Sequence, residues 1–198
     1  MSRRELGTGL PGLLKAIGWS IAFLVVGLLV GLPTVVGLGS LAKGSAGNEW
    51  FSQTGLPQIF LQGVGLVVGF GVATLLIGRK ALGRTWVELR WRGPHPAGAG
   101  FARGLALGAA AAGGAMVLGL AAAGAGWSTT TGSPIEWARS ALLTGGALAL
   151  PALSEELIFR GLPLVLLAAV IGRWPAVVLT AIAFTSAANL GGRPKPHV

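Results

Sequence analysis

The sequence predicts an all-α protein, a polytopic transmembrane helical bundle with about five to six membrane segments. Two observations lead to this prediction. Hydrophobic residues make up 53% of the 198 residues and charged residues only 11%, whereas soluble domains contain about 25% charged residues. The apolar residues also form long uncharged runs, and about 20 such residues in a helix cross the hydrocarbon core of a bilayer. Residues 1–198 are therefore interpreted as a single membrane domain.

Three uncharged runs in the first two thirds of the chain are long enough to cross a membrane: residues 17–38, 55–78 and 105–127. The first run is long for the apolar part of a signal peptide, and no small-residue cleavage site follows it at a suitable distance, so it is interpreted as an uncleaved span. Each run contains or adjoins a GxxxG pattern. This pattern is typical of close helix packing, within a bundle as well as between two copies of a chain.

The stretch from residue 139 to residue 172 is too long for one crossing, because an α-helix rises about 1.5 Å per residue. Gly161 and Pro163 provide the natural break, since proline disrupts a helix interior and glycine weakens it. We therefore predict a helix over about 140–159, a second to about 171 and a last span over 174–190. Pro151 predicts a kink within the first of these helices.

The basic residues indicate orientation. Many of the cations lie between the second and third runs: Arg79, Lys80, Arg84, Arg90, Arg92 and Arg103. The positive-inside rule then predicts a multi-pass cell-membrane protein with a cytoplasmic N-terminus. Residues 1–103 would form N-terminal spans with a basic loop, residues 104–190 a motif-bearing helical core and residues 191–198 a polar tail. In a soluble chain the +9 net charge would suggest nucleic acid, but here the cations flank apolar spans instead of forming one face, as the positive-inside rule requires. We therefore predict the lipid bilayer as partner and no nucleic acid.

A charged cluster interrupts the apolar C-terminal region. Glu155, Glu156 and Arg160 lie between uncharged runs, although each charge at the centre of a bilayer costs about 2.5–3.5 kcal/mol on insertion scales. Glu156 and Arg160 have the i,i+4 spacing of an ion pair, with the acid first. Glu155 points about 100° away on the helix. An unpaired, desolvated carboxylate suits a general base; the alternative is an ion-paired cluster that only locks two helices together.

Other mechanisms lack their residues. The chain contains neither Cys nor Asp, which excludes thiolate chemistry, an aspartyl pair and a Ser-His-Asp triad. Its histidines, His95 and His197, do not form the HExxH pattern of a helical zinc site. The GxxxxGK[ST] pattern of a nucleotide-binding loop is also missing. We predict no cofactor and no metal site, with metal dependence left open, and glutamate-based chemistry remains.

The run from Glu155 to Gly161 resembles the EExxxR motif of the CPBP intramembrane peptidases, also called the ABI family, which includes CAAX-prenyl endopeptidases and bacteriocin-processing proteins. The clear match covers about residues 142–190. The resemblance implies that Glu155 activates the attacking water, and that Glu156 and Arg160 shape and support the site. It also implies an endopeptidase acting on a membrane-associated peptide or protein.

The second motif of that family, FxxxH, is only half present. Phe184 matches its phenylalanine, but Ala188 stands in the histidine position, and the adjacent Asn189 carries an amide that cannot take up a proton. A later His/Asn motif has no counterpart. Loss of a proton-transfer partner and of oxyanion donors each costs about 10²–10⁴ in rate, so the resemblance implies a peptidase that is poor or incomplete. Two hypotheses account for the departure: a chain truncated or frameshifted near Ala188, or a catalytically silent member that acts as a membrane binding or immunity protein. A small transporter is a weaker alternative, because no inverted repeat is visible.

Overall fold

The structure, a computed structural model, describes residues 9–44, 55–89, 97–122 and 132–191. Of these residues 91% are helical and none lies in a strand. The predicted all-α fold class is therefore confirmed. Parts of the predicted basic loop and polar tail, residues 90–96 and 192–198, lie outside the described residues.

Six α-helices and two π-helical segments make up the described chain. In order they are α1 (Gly9–Lys43), α2 (Leu56–Ala73) with its π-helical continuation Thr74–Ala81, α3 (Ala97–Ala122), α4 (Pro134–Glu155) with its π-helical continuation Glu156–Arg160, α5 (Leu162–Ile171) and α6 (Arg173–Gly191).

Three of these helical stretches are long and apolar enough to cross a membrane: Gly9–Ala42, Leu56–Ala81 and Gly98–Ala122. They contain nearly all of the first two predicted runs and the third as far as residue 122, beyond which that run leaves the described residues. The predicted breaks after the motif and before residue 174 fall close to the ends of α5.

The start of α4 differs from the prediction. The helix begins at Pro134 instead of about residue 140, because Ser133 and Glu136 form a capping box. The Ser133 hydroxyl accepts from the Glu136 backbone N–H at 3.3 Å, and the Glu136 carboxylate accepts from the Ser133 N–H at 2.7 Å. These bonds satisfy backbone donors that a helix start otherwise leaves open. The helix contains Pro151 and continues to Glu155; the kink there stays a prediction.

Glycines bring α1 and α2 into close antiparallel contact. A Cβ on Gly69 would overlap the Gly27 carbonyl oxygen, and a Cβ on Gly65 would lie 3.0 Å from the Gly31 oxygen. The two GxxxG patterns therefore serve packing within one chain, which is the use expected of small residues in membranes. The third pattern differs: no described residue of another segment lies within 4 Å of a Cβ added to either glycine of α3 at positions 104 and 108.

Helices α2 and α4 run parallel. A Cβ on Gly63 would lie 2.6 Å from the Pro151 ring, and one on Gly78, further along α2, would lie 3.7 Å from Leu162 just after α4. Two parallel helices require the intervening chain to return along the bundle. With 26 residues, α3 spans about 39 Å and is the described segment long enough to do so. Its described side chains are almost all exposed.

The buried core lies where the end of α2 meets the start of α5. It contains residues from α1, α2, the turn after α2 and the motif region, among them Phe23, Phe70, Leu89, Leu157 and Leu162. The Phe23 and Phe70 rings tilt against each other with centroids 5.4 Å apart. This core fixes the motif turn against the first two helices.

Candidate functional site

The charged motif occupies a π-helical turn. At Glu156–Arg160 the helix widens beyond the α-helical register. Pro163 has no N–H to donate to the Phe159 carbonyl, so the regular ladder cannot continue across this point. Gly161 then breaks the helix with φ −75° and ψ −130°, and a Cβ there would overlap the Leu157 carbonyl oxygen. Such π-helical turns are frequent at functional sites.

The predicted ion pair is present. The Arg160 Nη1 donates to the Glu156 Oε1 at 2.6 Å, while the two side chains remain 71% and 52% exposed. Charge-assisted hydrogen bonds of this length are among the strong ones. Among the described residues the Glu155 carboxylate has no ion-pair partner. The two glutamates therefore differ as their helical spacing predicts.

The expected apolar burial of Glu155 is wrong for the described part of the chain. Its side chain is exposed, although α6 reaches the motif turn through Phe184. The two segments border a cavity of about 550 Å³.

The charged motif turn and Phe184 of α6 both contribute to this cavity. It is lined by Glu155, Glu156, Phe159, Arg160, Leu164, Val177, Thr180, Ala181, Phe184 and Thr185. The Phe159 and Phe184 rings meet edge to face, with centroids 5.1 Å apart at 89°, an arrangement that aromatic pairs prefer. The structure thus brings the phenylalanine of the second motif against the first motif.

Sequence reasoning did not identify Phe159, Thr180 or Thr185 as lining residues. A signal was available for α6, because residues 177, 180, 181, 184 and 185 follow the spacing of one helical face. Position 188 follows Phe184 by one further turn of α6. The side chains of Ala188 and Asn189 lie outside the described residues.

The threonines of the cavity offer acceptors more than donors. Thr180 donates its hydroxyl proton to the Ala176 carbonyl at 2.9 Å, and Thr185 donates to the Ala181 carbonyl at 3.0 Å. Arg160 donates one N–H to Glu156, and a guanidinium carries five N–H donors. Among the described lining residues, Arg160 is therefore the side chain with N–H donors to spare.

Ser154 is a packing residue. It is 2% exposed, and its hydroxyl donates to the Pro151 carbonyl at 2.7 Å. In the described residues no group of three or more His, Cys, Asp or Glu side chains could hold a metal ion.

Fold and site together define a helical membrane protein with a cavity built from two glutamates, an arginine and aromatic side chains. Residues 137–191 match the family model described as Rce1-like, type II CAAX prenyl endopeptidase Rce1-like. The matched segment, less than half of the chain, begins in α4 and includes the motif turn, α5 and α6. It supports assignment of the chain to the CPBP family. No curated protein and no solved structure matches the chain.

Proposed function

We propose that the protein is an intramembrane, glutamate-dependent endopeptidase of the CAAX-protease type, which cleaves a membrane-associated peptide or protein. The observation that carries this proposal is the shared cavity. An unpaired Glu155 lies there beside the paired Glu156 and Arg160, against an aromatic wall that ends in Phe184. The family match over the same residues supports a peptidase class.

In the proposed reaction Glu155 acts as general base. Its carboxylate takes a proton from a water molecule as the water oxygen attacks the carbonyl carbon of the scissile peptide bond. The negative charge that develops on the carbonyl oxygen is stabilised by a free N–H of Arg160. When the C–N bond breaks, Glu155 returns the proton to the leaving amine, which restores the carboxylate.

In this mechanism the ion pair has a positioning role. Glu156 holds the Arg160 guanidinium through the 2.6 Å hydrogen bond and fixes its planar face beside the cavity. The apolar walls provided by Leu164, Val177 and Phe184 suit a substrate held by the membrane, because they extend the lipid environment up to the charged groups.

The proposal predicts that a peptide reporter in proteoliposomes is cleaved by the parent protein and not by Glu155→Gln. General-base catalysis contributes about 10²–10⁴-fold, so we expect at least about a hundredfold lower turnover for the variant. Glu136→Gln is the matched control, because Glu136 is an exposed carboxylate at the start of the same helix. Equal turnover by the parent and Glu155→Gln would contradict the proposal.

A second candidate function rests on position 188. The family resemblance places a histidine there, and Ala188 cannot accept a proton. A catalytically silent membrane protein that binds a peptide, for instance in bacteriocin immunity, keeps the cavity without the reaction. No cleavage by any variant, together with retained peptide binding by the parent, would favour this candidate.

A further inference from the structure

A second groove lies at the end of α2, away from the motif cavity. Its volume is about 490 Å³, and it is lined by Val72, Leu75, Leu76, Arg79, Lys80 and Trp86. The polarity of the lining residues changes along the chain. Three aliphatic side chains come first, two cations follow at the end of the span, and a tryptophan closes the rim. The proposed peptidase reaction uses none of these residues.

Arg79 is held in place at the rim. Its Nη1 donates to the Arg84 carbonyl oxygen at 2.7 Å, and its guanidinium carbon lies 5.1 Å from the centroid of the Trp86 ring. The hydrogen bond uses one of five N–H donors. Since the guanidinium is already oriented, an anion that binds there loses little free energy to ordering it.

The turn that follows keeps this arrangement rigid. The Arg84 side chain is buried, and its backbone N–H donates to the Gly78 carbonyl at 2.9 Å. Glu88 accepts from the Thr85 N–H at 2.7 Å and from the Thr85 hydroxyl at 2.9 Å. The geometry that presents Arg79 is therefore built into the backbone of the turn.

The groove carries positive charge from Arg79 and Lys80, and part of this charge is not neutralised by the described residues. Lys80 is exposed and forms no ion pair with the described residues. Glu88, the carboxylate of the turn, is bound by Thr85 and lies 3.5 Å from the Arg84 Nη1. The arrangement is complementary to a phosphate group, for which guanidinium and ammonium groups are the usual partners.

We propose that this groove binds an anionic phospholipid. One acyl chain lies along Val72, Leu75 and Leu76, and the phosphate lies between Arg79 and Lys80. The aliphatic residues precede the cations along the helix, so an acyl chain can lie beside the first part of the groove while its headgroup reaches the second. Basic residues and tryptophan at a span end lie at headgroup depth, which matches the change in polarity of the lining residues. Inorganic phosphate could contact the same two cations, but it has no acyl chain to contact the aliphatic residues of the groove.

The test is native mass spectrometry of the full-length protein in detergent, titrated with dioleoyl phosphatidylglycerol, with dioleoyl phosphatidylcholine or with inorganic phosphate. We expect retained phosphatidylglycerol, little phosphatidylcholine and no displacement of the lipid by millimolar phosphate. Because each basic residue near an anionic lipid surface contributes about fivefold in binding, Lys80→Gln should weaken phosphatidylglycerol binding by about that factor, and Lys80→Glu by more. Arg79→Gln should act in the same direction.

Arg173→Gln is the matched control, because Arg173 also lies over a tryptophan ring, that of Trp174, at 5.8 Å, but lines neither this groove nor the motif cavity. It should bind phosphatidylglycerol like the parent. Lys80 has an exposed side chain, so its variants test the proposal even if Arg79→Gln fails to fold. Equal retention of the two lipids, displacement by phosphate, unchanged binding by Lys80→Gln and Lys80→Glu, or an equal loss in Arg173→Gln would each overturn the proposal.

Discussion

The two π-helical turns among the described residues are alike in position and differ in what surrounds them. Each continues an apolar helix and carries basic residues in its last turn, at Thr74–Ala81 and at Glu156–Arg160. After the first turn the chain folds back, burying Leu82 and Leu89 and holding Arg79 through a backbone carbonyl. After the second turn the chain breaks at Gly161 and leaves its ion pair exposed beside a cavity.

This difference shows that the packing of neighbouring residues determines whether a charged side chain is held within the fold or remains exposed beside a cavity. Arg79 of the first turn is held by its own loop through the Arg84 carbonyl, whereas Arg160 of the second turn is held by Glu156 within the same turn. Charged residues of both turns line a groove or a cavity.

Both turns nevertheless rest on one core, because a Cβ on Gly78 would lie 3.3 Å from Leu89 and 3.7 Å from Leu162. The first turn, Thr74–Ala81, therefore packs against the same core residues as the motif turn.

The largest expected effect comes from the glycines of the two turns. In Gly161→Ala the new Cβ overlaps the Leu157 carbonyl oxygen, so the backbone must shift at the motif. We expect a loss of about 1–3 kcal/mol in the free energy of unfolding, measured by chemical denaturation in detergent, together with lost reporter cleavage.

Gly78→Ala is the counterpart in the first turn. The three atoms nearest to its Cβ would be side-chain atoms of Leu89 and Leu162 at 3.3–3.7 Å, which can yield. The expected destabilisation is under about 1 kcal/mol. Equal losses in the two variants would show that the turns are packed alike and would break the comparison.

A smaller difference in stability is expected between variants of Glu88 and Glu156, whose carboxylates each form an ion pair with an arginine. Glu88→Gln weakens the hydrogen bonds that the Glu88 carboxylate accepts from the Thr85 N–H and hydroxyl, for which we expect about 0.5–1 kcal/mol of destabilisation. Glu156→Gln removes an exposed i,i+4 pair, worth about 0.3–0.5 kcal/mol. The same denaturation measurement should therefore rank Glu88→Gln as the more destabilised variant, while Glu156→Gln has the larger effect on cleavage. The reverse order in both measurements would contradict the assignment of one pair to structure and the other to the site.

The smallest expected effect is a pH dependence of folding stability, which comes from Glu88 in the turn that follows Thr74–Ala81. Hydrogen bonds from the Thr85 backbone N–H and hydroxyl hold the pKa of the Glu88 carboxyl below its usual value, and the Arg84 charge acts in the same direction. A carboxyl with a lowered pKa in the folded state stabilises the fold above its unfolded pKa of about 4.3. This stabilisation is lost as the pH falls through the folded pKa. Acid denaturation curves of the parent and Glu88→Gln should therefore converge below that pH; a constant offset would contradict the assignment.

The spans were predictable because long uncharged runs are a strong signal, and the Glu156–Arg160 pair was predictable because its spacing is local. The start of α4 was also within reach, since Ser133 and Glu136 form the S-x-x-E pattern of a capping box. The π-helical turns have no sequence pattern of their own. They depend on Pro163, on the tight approach at Gly161 and on packing against Leu89. The exposure of Glu155 depends on where α6 lies, which no local pattern specifies.

The most direct test of the role of Glu155 is the rate of reporter cleavage by Ala188→His, compared with the double variant Glu155→Gln/Ala188→His, in proteoliposomes under single-turnover conditions. If Glu155 is the general base of the motif cavity, the single variant cleaves the reporter at least about a hundredfold faster than the double variant. Equal rates in the two proteins would show that cleavage does not depend on Glu155 and would contradict the assignment.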